Sequence, residues 1–505
     1  MQRALRLGAR GAAAGGAALY ALSGASAAQA DVRPAAQPSS EAPAPTEAQL
    51  ALLHDWLRAR GAGVDGVRMS ASEHGLGLFA APEAAQSWRL PRLLRPGYWL
   101  GWPGRTLAEF PLSCAVCAHS CAADPALGPL LSAWLREGAL SEREAVMLWL
   151  LVQRALGAQS AAAPYVSLLP STPPAPLWWR DEELKELAGT TLWEAVRAQA
   201  RGLEGGWARL APLARQAARQ AGCPDARAMS LEDWRWAVGT YWSRALAYPD
   251  PAVAEALPVG APPPPLSEGV VPGLDFANHG GPRSSARWTV LGARAGGSRL
   301  PAQPSFGLQE RGAGVPPASE LRIDYGGGRS NEELLFTYGF AVADNAADAL
   351  MVAPPLPRDA EGADQLALAR AALLHARGRE PRAFLPQAGR RAAQAAVEEA
   401  LQVLSPFTLS PAELGCALEE HSSTAGLSQR NRRQALMLLL RTLEQRVAAM
   451  AATGTLQQDD ALLRTELQPR RLAAVLYRRT QKALGREYLE LVKRMLADCD
   501  IQTRP

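Results

Sequence analysis

Lysine is almost missing from this chain of 505 residues: only Lys185, Lys482 and Lys493 occur, and arginine supplies nearly all the positive charge. That skew, beside abundant alanine, reads as coding bias rather than function. An excess of one charge sign is missing too. The formal net charge is +4, and Arg3, Arg6, Arg10 and Arg33 against Asp31 and Glu41 put half of it in residues 1–45. A balance so near zero in the remainder excludes the electrostatic footprint of a nucleic-acid binder. Cysteine is sparse, and Cys114, Cys117, Cys121, Cys223, Cys416 and Cys499 are unevenly spaced. That excludes a disulfide framework and points to a reducing compartment. Cys114-x-x-Cys117 with His119 and Cys121 offers zinc-ligand types, but no second half follows at the usual spacing. Buried or loop thiols are therefore expected, and no metal. No apolar run reaches membrane-spanning length, so no span is expected.

What is there begins with MQRALRLGARGAAAGGAALYALSGASAAQA, which has three arginines and no acid. This is the composition of an organellar transit peptide. A secretory signal cleaved after Ala30 is the alternative, which the reduced-thiol pattern disfavours. Asp31 to Thr46 is Pro/Ala/Ser-rich and reads as a linker, so residues 1–45 are set apart as transit peptide and linker. Leu50, Leu53, Trp56 and Leu57 then fall at helical spacing. Residues 125–245 are mostly helical by pattern, with one stripe through Leu127, Leu130, Leu131, Trp134 and Leu135. A second runs through Ala145, Leu148, Trp149, Val152 and Leu156. After Phe340, residues 361–377, 390–404, 428–453 and 469–499 are Ala/Leu/Arg/Glu-rich and helix-periodic, which predicts a separate all-helical domain.

The informative stretch is 268–345. The run VPGLDFANHGG ends in a polar turn after the apolar Leu274 and Phe276. In ELRIDYGGGRSNEELLFTYGF, Leu321, Ile323 and Tyr325 alternate with Glu320, Arg322 and Asp324. That predicts a half-buried strand ending at Gly326-Gly327-Gly328. Ser330 and Glu333 form a capping-box pattern, so a short helix is expected to follow, carrying Leu334, Leu335 and Tyr338. Between the runs, Ala286 to Leu291 predicts one strand of a pair with an expanded loop. Upstream, Glu73-His74-Gly75-Leu76-Gly77-Leu78-Phe79-Ala80 places two glycines before an apolar run. They suit either a plain hairpin turn or a backbone that a ligand can approach closely. Pro262 to Pro265 break the chain before the first run.

Taken together, Asp275, Asn278 and His279, then Tyr325-Gly326, Ser330-Asn331-x-Glu333-Leu334-Leu335 and Tyr338-Gly339-Phe340 resemble the signature of SET-domain methyltransferases. The branch they resemble is that of the Rubisco large-subunit lysine methyltransferase. Gly75-Leu76-Gly77-Leu78 is similar to that fold's opening, and Leu90-Pro91-Arg92 loosely fits the turn expected next. Tyr165 to Pro170, Pro176 to Trp179 and Leu187 to Thr190 resemble the branch's helical insertion. Ser243-Arg244-Ala245-Leu246 resembles its Ser-Arg-x-Phe element. Arg471 to Lys482 resembles the last helix of its substrate-binding domain. Three positions depart from the pattern: His74 replaces an acidic residue, Leu246 an aromatic one, and Gly280 a serine.

The resemblance implies an α+β fold: a β-rich SET domain over 46–350 with a helical insertion at about 125–245, then an all-helical substrate-binding domain over 351–505. It implies S-adenosylmethionine as cofactor and transfer of its methyl group to a protein lysine. Protein histidine, or a catalytically silent binding module, are the alternatives. Tyr325 would be catalytic, where the bare pattern gives only a strand-end tyrosine. Gly75, Leu76, Gly77, Asn278 and His279 would hold the cofactor. Ser243, Arg244, Asp275 and Tyr338 would surround the target side chain, although Arg244 by itself reads equally as an exposed helix end. A protein substrate bound by the C-terminal helices, a monomer and a chloroplast address (alternatively mitochondrial) complete the expectation. The chemistry requires an uncharged amine, and a lysine starts from a pKa of about 10.4. An apolar channel beside a sulfonium lowers that value.

Overall fold

The computed structural model describes residues 45–82, 105–249, 266–291, 304–311, 315–354, 365–419 and 428–502. The transit and linker expectation up to residue 44, the turn at Leu90-Pro91-Arg92 and the proline break at 262–265 lie outside them. Thr46, expected as the end of a linker, instead caps the first helix. Its hydroxyl accepts the Gln49 amide and Gln49 returns the bond, so a capping box starts α1 (Glu47–Arg58). The helix buries Leu53 and Leu57, each contributing roughly 2 kcal/mol of apolar burial.

A hairpin follows, β1 (Val67–Ser72) against β2 (Gly75–Ala80), in register from Ser72 opposite Gly75 to Val67 opposite Ala80. Gly75 takes φ +101° at the turn, a conformation open to glycine at little cost. β3 (Thr106–Pro111), a short β4 (Val116–Cys117) and α2 (Ala118–Ala122) lead into the insertion. Its main helices are α3 (Gly128–Glu137), α4 (Glu142–Leu156), α5 (Ala163–Val166), α6 (Asp181–Lys185), α7 (Thr191–Gln220) and α8 (Leu231–Arg244). Both apolar stripes point inward: Leu127, Leu131, Trp134, Ala145, Leu148 and Val152 are all buried.

The insertion runs straight into β5 (Ala245–Pro249), which pairs antiparallel with β6 (Leu266–Val270); β4 pairs on the other side of β6. The expected strand at 286–291 is β7 (Ala286–Leu291), and β8 (Ser305–Glu310) pairs with it and with β3. The capping box at Ser330 and Glu333 is formed and starts α9 (Asn331–Tyr338). Gly339 ends that helix at φ +80°, where a Cβ would lie 2.3 Å from the Pro174 carbonyl oxygen. Only glycine lets the helix end sit so close to the insertion.

The C-terminal region is not wholly helical. β9 (Ala349–Val352) pairs antiparallel with β10 (Ala383–Pro386), and the expected boundary at 350 cuts through β9. The ribbon escaped the sequence reading because each strand has four residues, too few for a period of two to stand out. Around it lie α10 (Gln365–Ala376), α11 (Arg390–Leu404), α12 (Pro411–Glu419), α13 (Gln429–Met450), α14 (Leu456–Leu462) and α15 (Pro469–Gln502). Helix α15 joins two cores. Ala473, Ala474 and Tyr477 pack with Trp179, Leu187, Leu192 and Leu335 of the first domain. Leu484, Tyr488, Leu491 and Val492 pack with the ribbon and α13. The thiols are all free, with Cys114, Cys121 and Cys223 buried.

Candidate active site

The site exists because one stretch of chain lies between two others. Residues 320–325, expected as a strand, form with Ser319 an extended segment bridged on both sides rather than a regular strand. On one side the Leu321 amide donates to the Leu78 carbonyl at 2.7 Å and the Ala80 amide to Ser319 at 3.0 Å. On the other, the Ile323 amide donates to the Asn278 carbonyl and the Gly280 amide to the Ile323 carbonyl, both at 2.9 Å. The alternation is as expected: Leu321 and Ile323 are buried, whereas Glu320 and Arg322 are half-buried. These ladders bring the hairpin, the Asn-His run and Tyr325 to one place.

Beside them opens a cleft of about 1310 Å³, ample for a ligand of nucleoside size. Among the described residues its lining includes Gly75, Leu76, Asn278, Tyr325, Tyr338, Ser243, Arg244 and Asp275. The outer rim is built by Arg180, Glu183 and Glu186 of the insertion and by Gln468 to Arg471 at the start of α15. Gly77 and His279 do not line the cleft; they lie one layer behind it.

Tyr325 is boxed by aromatic rings, with centroids 4.6 Å from Tyr338, 5.1 Å from His279 and 6.5 Å from Phe340. Its hydroxyl donates to the Ala277 carbonyl at 3.0 Å. Burial pushes its phenol well above the usual tyrosine range, so it is a neutral hydrogen-bonding group at physiological pH. Its own amide donates to His279 Nδ1 at 3.2 Å. Burial lowers the His279 imidazole to about 4, which keeps Nδ1 free of a proton and able to accept that bond.

Asp275 and Arg244 form an ion pair of 2.8 Å at the cleft wall, with side chains 0% and 15% exposed. Asp275 also accepts the Tyr165 hydroxyl at 2.8 Å and the Gly273 amide at 3.1 Å. Burial pushes its carboxyl up, and the Arg244 guanidinium and the Tyr165 hydroxyl oppose that push. With both oxygens engaged, Asp275 holds Arg244 in place at the wall. Ser243 lines the cleft, but its hydroxyl donates to the Gly239 carbonyl one turn back, at 2.7 Å.

Asn278 acts as a clip. Its amide nitrogen donates to Glu320 at 2.8 Å, Ser72 Oγ at 3.2 Å and the Leu76 carbonyl at 3.4 Å. Arg322 continues the belt, bonded to Glu320 at 2.6 Å and Glu73 at 3.0 Å, and Glu73 lies 3.2 Å from His74 Nε2. Glu73 is thereby tied into the wall of the β1–β2 turn while His74 lines the cleft. Gly77 earns its place here: a Cβ would lie 2.8 Å from Glu320 Oε1 and 3.1 Å from Asn278 Nδ2. The glycine makes room for the clip.

Sequence reasoning missed Tyr165, Glu320 and Arg322. Tyr165 stood in a stretch matched to the insertion, with nothing to link it to a carboxylate 110 residues away. No group of side chains among the described residues has a metal-site arrangement, and no described helix is long and apolar enough to cross a membrane.

No protein-family model and no curated protein sequence matches the chain. Solved structures do. One, the SET domain of LSMT bound to lysine and AdoHcy, is 18% identical with a TM-score of 0.65, over 90% of this chain and 93% of that one. Another, Rubisco LSMT bound to AdoMet, is 17% identical with a TM-score of 0.62, again over 90% of this chain and 93% of that one. Over that length the present chain therefore shares the fold of these structures, as the α+β reading expected.

Proposed function

We propose that this protein is an S-adenosylmethionine-dependent protein-lysine N-methyltransferase. The observation that carries the proposal is the convergence of Gly75-Leu76, Asn278 and Tyr325, from three distant stretches, on one cleft. Its support is the likeness to structures described as holding AdoMet or AdoHcy, and lysine or a methylated lysine.

The residues present fit such a cofactor. The Gly75 turn offers open backbone, since a Cβ there meets nothing within 4 Å, and Leu76 and Phe276 give apolar wall. When bound, S-adenosylmethionine supplies a methyl group on a cationic sulfur. Everything else falls to the chain. The hairpin turn and Asn278, locked by the Glu320–Arg322 belt, form one end of the cleft. Tyr325, fixed through Ala277, His279 and the ring of Tyr338, aligns the target amine by hydrogen bonding. Positioning of this kind carries most of an in-line transfer. The largely desolvated wall favours the uncharged amine. Gln468 to Arg471 line the same cleft, which supports the role we assign to the C-terminal domain, recognition of a protein substrate. A monomer would suffice.

The acid-free, arginine-bearing N-terminus supports an organellar substrate and a chloroplast address, with the mitochondrion as alternative. Fusing residues 1–45 to a fluorescent protein tests that address. For the activity, wild type is expected to bind S-adenosylmethionine in calorimetry and to label a protein of an organelle extract. Tyr325→Phe is expected to bind the cofactor within about twofold and to lose labelling by a factor of about 100 or more. Equal labelling would remove Tyr325 from this role. Absence of binding at millimolar cofactor would leave only the silent binding module.

A further inference from the structure

One buried hydroxyl of the insertion is bonded to a carboxylate of the cleft wall. Tyr165 is 0% exposed, stacked 6.4 Å from Trp56 and edge-on 5.9 Å from Phe276. Its hydroxyl and the Arg244 guanidinium meet the same oxygen of Asp275, each at 2.8 Å. The charged and titratable groups facing Asp275 are Arg244 at the end of α8, Tyr165 from α5 and Tyr325 from the extended segment. The Gly273 amide closes the set.

An arginine is an odd wall for this cleft. On the reading given above, the cleft must accept a sulfonium cation and an amine, and Arg244 lines it together with Tyr325. An uncompensated guanidinium there would repel both, strongly in a desolvated wall. Paired with an ionised Asp275, it presents no net charge and keeps its shape and donors. We propose that Tyr165 is a positioning residue: its hydroxyl holds Asp275 as the ionised counter-charge of Arg244, so that the cleft stays neutral where the cationic cofactor binds. Deleting the hydroxyl removes a charge-assisted hydrogen bond that favours the ionised carboxylate. Burial already pushes that carboxyl upward, so in the variant Asp275 takes a proton at a higher pH than in wild type.

The test rests on the cofactor reading and separates itself from it by comparing two ligands. S-adenosylmethionine and S-adenosylhomocysteine differ by the methyl group and the charge it leaves on sulfur. The full chain and its Tyr165→Phe variant are titrated with each by calorimetry between pH 5.5 and 8.5. At pH 8.5 the ratio of the two affinities is expected to be the same in both proteins. Towards pH 5.5 the ratio in Tyr165→Phe is expected to fall about tenfold further than in wild type, with S-adenosylhomocysteine affinity within about twofold. Asp275→Asn, if it folds, is expected to give the lowered ratio at every pH. A ratio that follows wild type throughout, or an equal loss for both ligands, would show a packing role and overturn the proposal. If wild type binds neither ligand, the cofactor reading fails and takes the proposal with it.

Discussion

Adding one methyl group at Gly77 tests whether the clip behind the cleft is what shapes it. In Gly77→Ala the new Cβ lies 2.8 Å from Glu320 Oε1, 3.1 Å from Asn278 Nδ2 and 3.3 Å from Ser72 Cβ. A methyl needs several tenths of an ångström more from each polar atom. A glutamate carboxylate can usually swing aside, but this one is 11% exposed and tied to Arg322 at 2.6 Å and to Asn278 at 2.8 Å. Relief therefore breaks the Asn278–Glu320 bond, a hydrogen bond to a charged group worth about 1.5–3 kcal/mol. A stability loss of about 2–3 kcal/mol is expected, read as a lower urea midpoint by tryptophan fluorescence. Because Asn278 lines the cleft, S-adenosylmethionine affinity should fall about tenfold or more. The matched control is Gly205→Ala. Gly205 lies inside helix α7 with nothing within 4 Å of a Cβ. That variant should gain about 0.5–1 kcal/mol and bind as wild type does. If Gly77→Ala kept full stability and affinity, the clip would not be what holds the cleft.

Further outcomes follow from buried charges. Arg478 is 2% exposed and donates to Asp459 at 2.9 Å and to Glu186 of the insertion. Arg478→Met leaves those carboxylates short of a partner, although Lys482 still meets Asp459 at 2.6 Å. A loss of about 3 kcal/mol is expected in urea melts. Asp348 accepts the Asn331 amide at 2.5 Å and its side chain at 2.8 Å, and burial raises its carboxyl to about 7. A raised carboxyl binds its proton more tightly in the folded state, so its contribution to stability is present at low pH and lost as pH rises from about 4 to 7. Relative to wild type, Asp348→Asn should gain about 2–4 kcal/mol across that window; a constant difference would refute the assignment. His279 acts with the opposite sign. With its imidazole lowered to about 4, stability should fall as pH drops from about 6.5 to 4, and urea melts of wild type and His279→Asn should diverge there.

Local pattern was enough for the elements whose signal is short-range. The capping box at Ser330 and Glu333, the hairpin at Gly75, the strand at 286–291 and the long C-terminal helices each follow from neighbours a few residues apart. The order of the motifs also carried the likeness to a fold. Sequence could not say what each motif residue touches. Gly77 and His279 stood in the motifs as cofactor contacts, and packing adds neighbours the motifs did not show: Gly77 makes room for the Asn278–Glu320 clip and His279 braces the Tyr325 amide. Asp275 stood there as a substrate contact, and its buried ion pair with Arg244 could not be read from the motif. Tyr165, Glu320 and Arg322 stood in the sequence only as members of a matched stretch and of an alternation, with no sign of their partners. Their partners lie 110, 42 and 249 residues away along the chain, and only the threading of 319–325 between the hairpin and the Asn-His run sets those distances in space. A periodic pattern records which face of an element is buried; a charge pair between distant segments is recorded nowhere until packing brings them together and removes the water between them.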